Sequence, residues 1–118
     1  MIHKICHIEL VSHDLSGTKD FYSKVFNWQC HDLMENYGGW VPSEGELGGG
    51  FRVEEKSDQP MQNSLIYIQV ENIDDKLQDI TAAGGVQVMP KTKISDEHGS
   101  FALFTDPSGT CCGIWSQE

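Results

Sequence analysis

His7-Ile8-Glu9-Leu10-Val11-Ser12-His13-Asp14-Leu15 has a second version of itself 58 positions further on, in Leu65-Ile66-Tyr67-Ile68-Gln69-Val70-Glu71-Asn72-Ile73. Each stretch alternates in the manner of a strand and leads to an N-capping side chain, Asp14 or Asn72. An amphipathic segment, a Gly- or Asn-marked stop and further strand-like runs follow in both cases. Repetition on this scale decides the architecture before any single element is assigned. The chain reads as two modules of one plan, each strand-helix-strand-strand-strand.

In the first module the alternation puts Ile8 and Leu10 on one face of a strand over 5–12 and His7, Glu9 and Val11 on the other. Phe21, Tyr22, Val25 and Phe26 recur at helical spacing and form a stripe suited to cover the Ile8/Leu10 face, with Asn27 as the stop. Strands are expected over 28–33, 39–41 and 49–53, with turns at 35–38 and 42–46. A polar segment ending in Pro60 makes 55–63 the linker, so module one is 1–54 and module two 64–118. There Ile66, Ile68 and Val70 form the apolar face of a strand. Asn72 caps a helix burying Ile73, Leu77 and Ile80, and Gly84-Gly85 ends it. Strands over 86–89, 101–105 and 111–115 complete the set, with Asp106-Pro107-Ser108-Gly109 as a turn.

One such module covers only one side of its sheet with a helix. The other side calls for a partner, most simply the second module, and the fold class expected is α+β: two βαβββ modules paired into an incomplete barrel around a shared cavity. The 118 residues, with 38% hydrophobic side chains, suffice for one such domain and leave no segment for another. Eighteen acidic against eight basic residues give a net charge of −10, which disfavours nucleic acid and anionic membranes as partners. No apolar run approaches the roughly 20 residues of a membrane span, and the N-terminus has no signal-peptide core, so a cytoplasmic protein is expected. Cys6, Cys30, Cys111 and Cys112 lack metal-site spacing and are expected as reduced thiols.

The repeat resembles the vicinal oxygen chelate superfamily, which includes glyoxalase I, extradiol dioxygenases and antibiotic-binding proteins. The resemblance spans the chain and rests on His7-Ile8-Glu9-Leu10, Phe21-Tyr22 with Phe26-Asn27-Trp28, Ala83-Gly84-Gly85 and Phe104-Thr105-Asp106-Pro107-Ser108-Gly109. It implies a homodimer, and it implies metal ligands at inward positions on the first and last strand of each module. In this chain those positions carry His7, Gly50, Leu65 and Gly113. A catalytic divalent site generally takes three protein ligands, so one imidazole predicts a protein without metal or other cofactor. A one-residue slip would instead bring Glu9 and Glu54 forward as ligands, but the Ile8/Leu10 alternation opposes it.

His7 and Glu9 share a face and form the candidate acid/base pair. Arg52 follows Gly50 by two and Trp115 follows Gly113 by two, so both point with the vacated ligand positions. Arg52 is expected to hold an anionic group, with Trp40, Tyr67 and Trp115 as flat apolar walls. The bland alternative makes Arg52 a rim ion pair and the tryptophans core. Gly48-Gly49-Gly50 has no phosphate-loop context and reads as a place of close strand approach. Asp96-Glu97-His98-Gly99 reads as a solvated turn that would act as a lid if it moved. The expected function is the binding of a small organic ligand without metal. Sequestration of an antibiotic and a metal-dependent lyase or dioxygenase activity are the alternatives.

Overall fold

A computed structural model describes residues 3–42, 44–55 and 64–118. The order is β1 (Ile5–Ser12), α1 (Leu15–Phe26), β2 (Gln29–Met34), β3 (Tyr37–Val41), β4 (Gly49–Val53), then β5 (Ser64–Gln69), α2 (Ile73–Ala82), β6 (Val86–Ser95), β7 (Gly99–Thr105) and β8 (Cys111–Ser116). The fold is α+β, with the βαβββ order twice. The expected linker 55–63, save Glu55, lies outside the described residues, as does position 43 of the 42–46 turn. Two compact units divide the chain. One is His7–Leu65; the other is Ile66–Glu118 together with the first six residues.

In the first unit the strand order is β2-β3-β4-β1, with β1 parallel to β4 and the other pairs antiparallel. Asp14 accepts from the Gly17 N–H at 3.3 Å and starts α1, and Asn27 ends it in the left-handed region at φ 62°. The helix-side core is a run of stacked aromatic rings. Trp28 lies between Tyr22 (centroids 4.9 Å) and Trp40 (4.6 Å), and Tyr22 packs on the fully buried Phe51 at 5.6 Å. Gly49 makes this stack possible, since a Cβ there would meet both the Trp40 ring and the Ile8 carbonyl. Of the expected helix stripe, only Tyr22 turns in. Phe21, Val25 and Phe26 stay 54%, 56% and 57% exposed, because the two tryptophans fill the space over Phe51 that they would have entered.

In the second unit the order is β5-β8-β7-β6, with β5 parallel to β8. Asn72 caps α2 by accepting from Asp75 N–H at 2.9 Å, and Asp74 and Asp75 sit where the helix dipole favours negative charge. Val70, Ile73, Leu77, Ala102 and Ile114 form the core, with Ile68, Ile80 and Phe104 against it. β6 runs on through Pro90 to Ser95, beyond the expected 86–89, and its pairing with β7 shifts register at three places. As the last strand of this order it can accommodate a proline that a central strand would reject. Lys4 and Cys6 are tied to β5. Gln69 N–H donates to the Lys4 carbonyl at 2.9 Å and the Cys6 thiol to the Tyr67 carbonyl at 3.6 Å, so the unit boundary falls within β1, after Cys6, with 1–6 on the side of the second unit.

Candidate functional site

On the face of the first unit opposite the aromatic stack, β1 presents His7 and Glu9. The register sets Glu9 beside Gly50, and Gly50 beside Gly39 on β3, while Tyr37 pairs with Arg52. The Tyr37 side chain lies over Gly50, and the Leu33 side chain over Gly39. A Cβ on Gly50 would fall on the Tyr37 hydroxyl.

The result is one connected set of polar groups. Tyr37 Oη is 2.9 Å from His7 Nε2 and donates to Glu9 Oε2 at 2.9 Å. Arg52 Nη1 donates to the other Glu9 oxygen at 3.0 Å, and Arg52 Nε stands 2.8 Å from Glu54 Oε1 without hydrogen-bond alignment. Glu9 is buried at 6% exposure, and a buried carboxylate needs this degree of pairing. Burial lowers the His7 pKa below its ordinary 6.5, and the Glu9 carboxylate only partly opposes that shift. A neutral imidazole beside a paired carboxylate can accept a proton at neutral pH.

Sequence reasoning brought His7, Glu9 and Arg52 to this face, and the structure places all three there. It missed Tyr37. The available signal was Asn36, a residue type suited to the left-handed region it occupies at φ 59°, which closes the turn at 35–36 and lets β3 open on Tyr37, two residues before Gly39 on the same face. Two expectations need correction. Trp40 stands on the helix-covered face, 8% exposed and stacked on Trp28, because it alternates with Gly39; it lines nothing beside His7. The guanidinium of Arg52 is already held by two carboxylates, so an anionic ligand would have to displace one of them.

In the second unit Tyr67 pairs with Gly113 and covers it, a Cβ at Gly113 colliding with the tyrosine ring. Phe101, opposite Trp115 on β8, meets the Tyr67 ring edge-on at 6.3 Å. These three rings stand opposite the Ile114/Ala102 core face. Trp115 Nε1 donates to the His98 carbonyl at 2.7 Å, and Gln117 Nε2 reaches the Asp96 and Glu97 carbonyls at 3.3 and 3.1 Å. Asp96, Glu97 and His98 are exposed, as expected, whereas Gly99 is buried and already opens β7; the bonds pin the turn to the last strand and its tail, which does not suit a lid.

Among the described residues no group of three His, Cys, Asp or Glu side chains is arranged to hold a metal ion. The donor chemistry agrees with that geometry. Gly50 and Gly113 have no side chain, and the space a ligand side chain would use is filled by Tyr37 and Tyr67. Leu65 has no donor atom. These residues do not fit a divalent metal.

The family model of the Glyoxalase/Bleomycin resistance protein/Dioxygenase superfamily matches residues 4–111. A curated protein named "Putative glyoxylase CFP32" in Mycobacterium bovis, and likewise in Mycobacterium tuberculosis, is 29% identical over 116 residues. That alignment covers 92% of this chain and 43% of the relative, so the chain spans less than half the relative's length. Methylmalonyl-CoA epimerase from Mycobacterium tuberculosis superposes with a TM-score of 0.72 at 8% identity, covering 97% of this chain and 87% of the other. Protein BH1468 of Bacillus halodurans gives 0.71 at 14% identity, covering 100% and 96%. At these identities the likeness to solved structures shows the fold alone.

Proposed function

The chain belongs to the glyoxalase/bleomycin resistance protein/dioxygenase superfamily, and from that premise we propose that it binds a small organic ligand, without a metal, on the face carrying His7, Glu9, Tyr37 and Arg52. The observation that carries this reading is the buried Glu9 bonded to both Tyr37 and Arg52, with His7 bonded to the same tyrosine. Buried, mutually paired ionisable groups with a shifted histidine beside them are an arrangement found at functional sites. His7 and Glu9 act as its acid/base pair. In the second unit Trp115, half-buried, offers an apolar ring for flat groups, while Tyr67 is buried at 8% exposure. A cytoplasmic location, where thiols such as Cys6 stay reduced, goes with this reading.

Metal analysis of the purified protein, followed by a thermal-shift screen of small metabolites and antibiotics, tests it. The expected results are no stoichiometric zinc, nickel, manganese or iron, and a ligand whose stabilisation is lost in His7→Gln and Glu9→Gln. Micromolar metal affinity abolished by His7→Ala, or a ligand indifferent to both substitutions, overturns it.

A second reading, sequestration of a cationic antibiotic, is favoured by charge. Glu9 and Glu54 outnumber Arg52 at the site, and the chain carries −10. We also propose a homodimer formed through the exposed Phe21, Val25 and Phe26 of α1. Sedimentation should show a dimer that Phe26→Lys dissociates; monomer alone at high concentration removes the proposal.

A further inference from the structure

A phenol has one proton to give. The Glu9 carboxylate is acceptor-only, taking Arg52 Nη1–H on Oε1 and the Tyr37 hydroxyl on Oε2. With its proton committed to Glu9, the Tyr37 oxygen meets His7 Nε2 at 2.9 Å as an acceptor, so the hydrogen between them belongs to the imidazole. A neutral ring protonated at Nε2 holds its lone pair on Nδ1.

We propose that Tyr37 is a positioning residue that fixes His7 as the Nε2–H tautomer, so that the basic lone pair of the ring sits on Nδ1. The inference rests on the proposed function in treating the His7 face as the ligand site. It does not depend on any metal. The tautomer is set by a chain of bonds whose polarity starts at Arg52. The guanidinium can only donate, so whatever stands at position 9 must turn an acceptor toward it. With glutamate both oxygens are acceptors and the tyrosine donates to one. With glutamine the carbonyl must face Arg52, and the amide nitrogen then faces Tyr37 as a donor. Tyr37 becomes the acceptor from residue 9, its own proton turns to His7 Nε2, and the imidazole hydrogen moves to Nδ1. Gly50 is the other requirement, since any side chain there would push the hydroxyl out of line with both partners.

Nitrogen-15 NMR of the imidazoles in the ligand-free full chain, at a pH where His7 is neutral, reads this directly, with the His7 signals assigned by their absence in His7→Gln. The wild type is expected to show a protonated Nε2 and an unprotonated Nδ1, Glu9→Gln the reverse, and Tyr37→Phe a mixture of both forms. A wild type protonated on Nδ1, or a Glu9→Gln protein that keeps the wild-type pattern, overturns the proposal. If Glu9→Gln does not fold, Tyr37→Phe decides: an unchanged pattern overturns the assignment and a lost preference supports it. Because no ligand is present in these measurements, failure of the ligand screen with the tautomer pattern intact sinks the proposed function alone.

Discussion

Tyr37 and Gly50 share one volume: the tyrosine hydroxyl occupies the place where any other residue at position 50 would carry its Cβ. The polar chain from His7 to Arg52 runs through that hydroxyl. Gly50→Ala should therefore cost about 1–3 kcal/mol, the usual penalty for overpacking a tight site. Since the clash is with one side chain, Gly50→Ala combined with Tyr37→Ala should cost less than the sum of the two single changes. Urea denaturation of the three proteins gives the coupling.

The His7 pKa, lowered by burial, predicts the direction of a stability change with pH. The unfolded chain takes up a proton near the ordinary value of 6.5, while the folded one resists it. The contribution of His7 is thus fully present above that value and is lost as pH falls through the depressed folded pKa. Other contributions to stability also change with pH, so the informative quantity is a difference. From just above pH 6.5 downward, His7→Gln should lose stability less steeply than the wild type in matched denaturation series. Parallel curves would mean that His7 ionises alike in both states.

Arg52→Ala is predicted to act on folding before it acts on binding. Removing the guanidinium leaves Glu9, with 8% of its side chain exposed, without its cation partner, and breaking such a pair typically costs about 3–5 kcal/mol. Adding Glu9→Gln to Arg52→Ala should recover a good part of that loss. A loss below about 1 kcal/mol in Arg52→Ala would show the pair to be of the weak surface kind.

Trp115→Phe keeps a ring against the face it shares with Phe101 but deletes the 2.7 Å bond to the His98 carbonyl. A loss of about 1 kcal/mol is expected, together with faster hydrogen exchange at the amides of the 96–99 turn. Unchanged exchange there would mean that the Gln117 and Ser95 bonds hold the turn without it.

How far the sequence reading reached follows from the physics of each element. Asp14, Asn27 and Asn72 cap by bonds to backbone groups a few residues away, so their roles show in local order. The two-residue period of β1 fixed His7 and Glu9 on one face for the same reason. Tyr37 was missed because its strand was entered two residues late, and Trp40 was misplaced because the single step from Gly39 to Trp40 reverses the face. The Phe21, Val25 and Phe26 stripe failed differently. Helical spacing shows that a face is apolar, not that there is room for it beneath, and Trp28 and Trp40 had taken the room.

What the residue order determined by itself was the duplicated βαβββ plan, the capped helices and the poverty of metal donors at Gly50, Leu65 and Gly113, since these depend on residue type and near-neighbour spacing alone. What only the tertiary structure decided was the company each side chain keeps. Tyr37 and Arg52 are 28 and 43 positions from Glu9, and only the β1–β4 and β3–β4 registers bring a hydroxyl donor and a guanidinium each within about 3 Å of that one buried carboxylate. Distances of that order are set by strand pairing across a sheet, which no local pattern encodes.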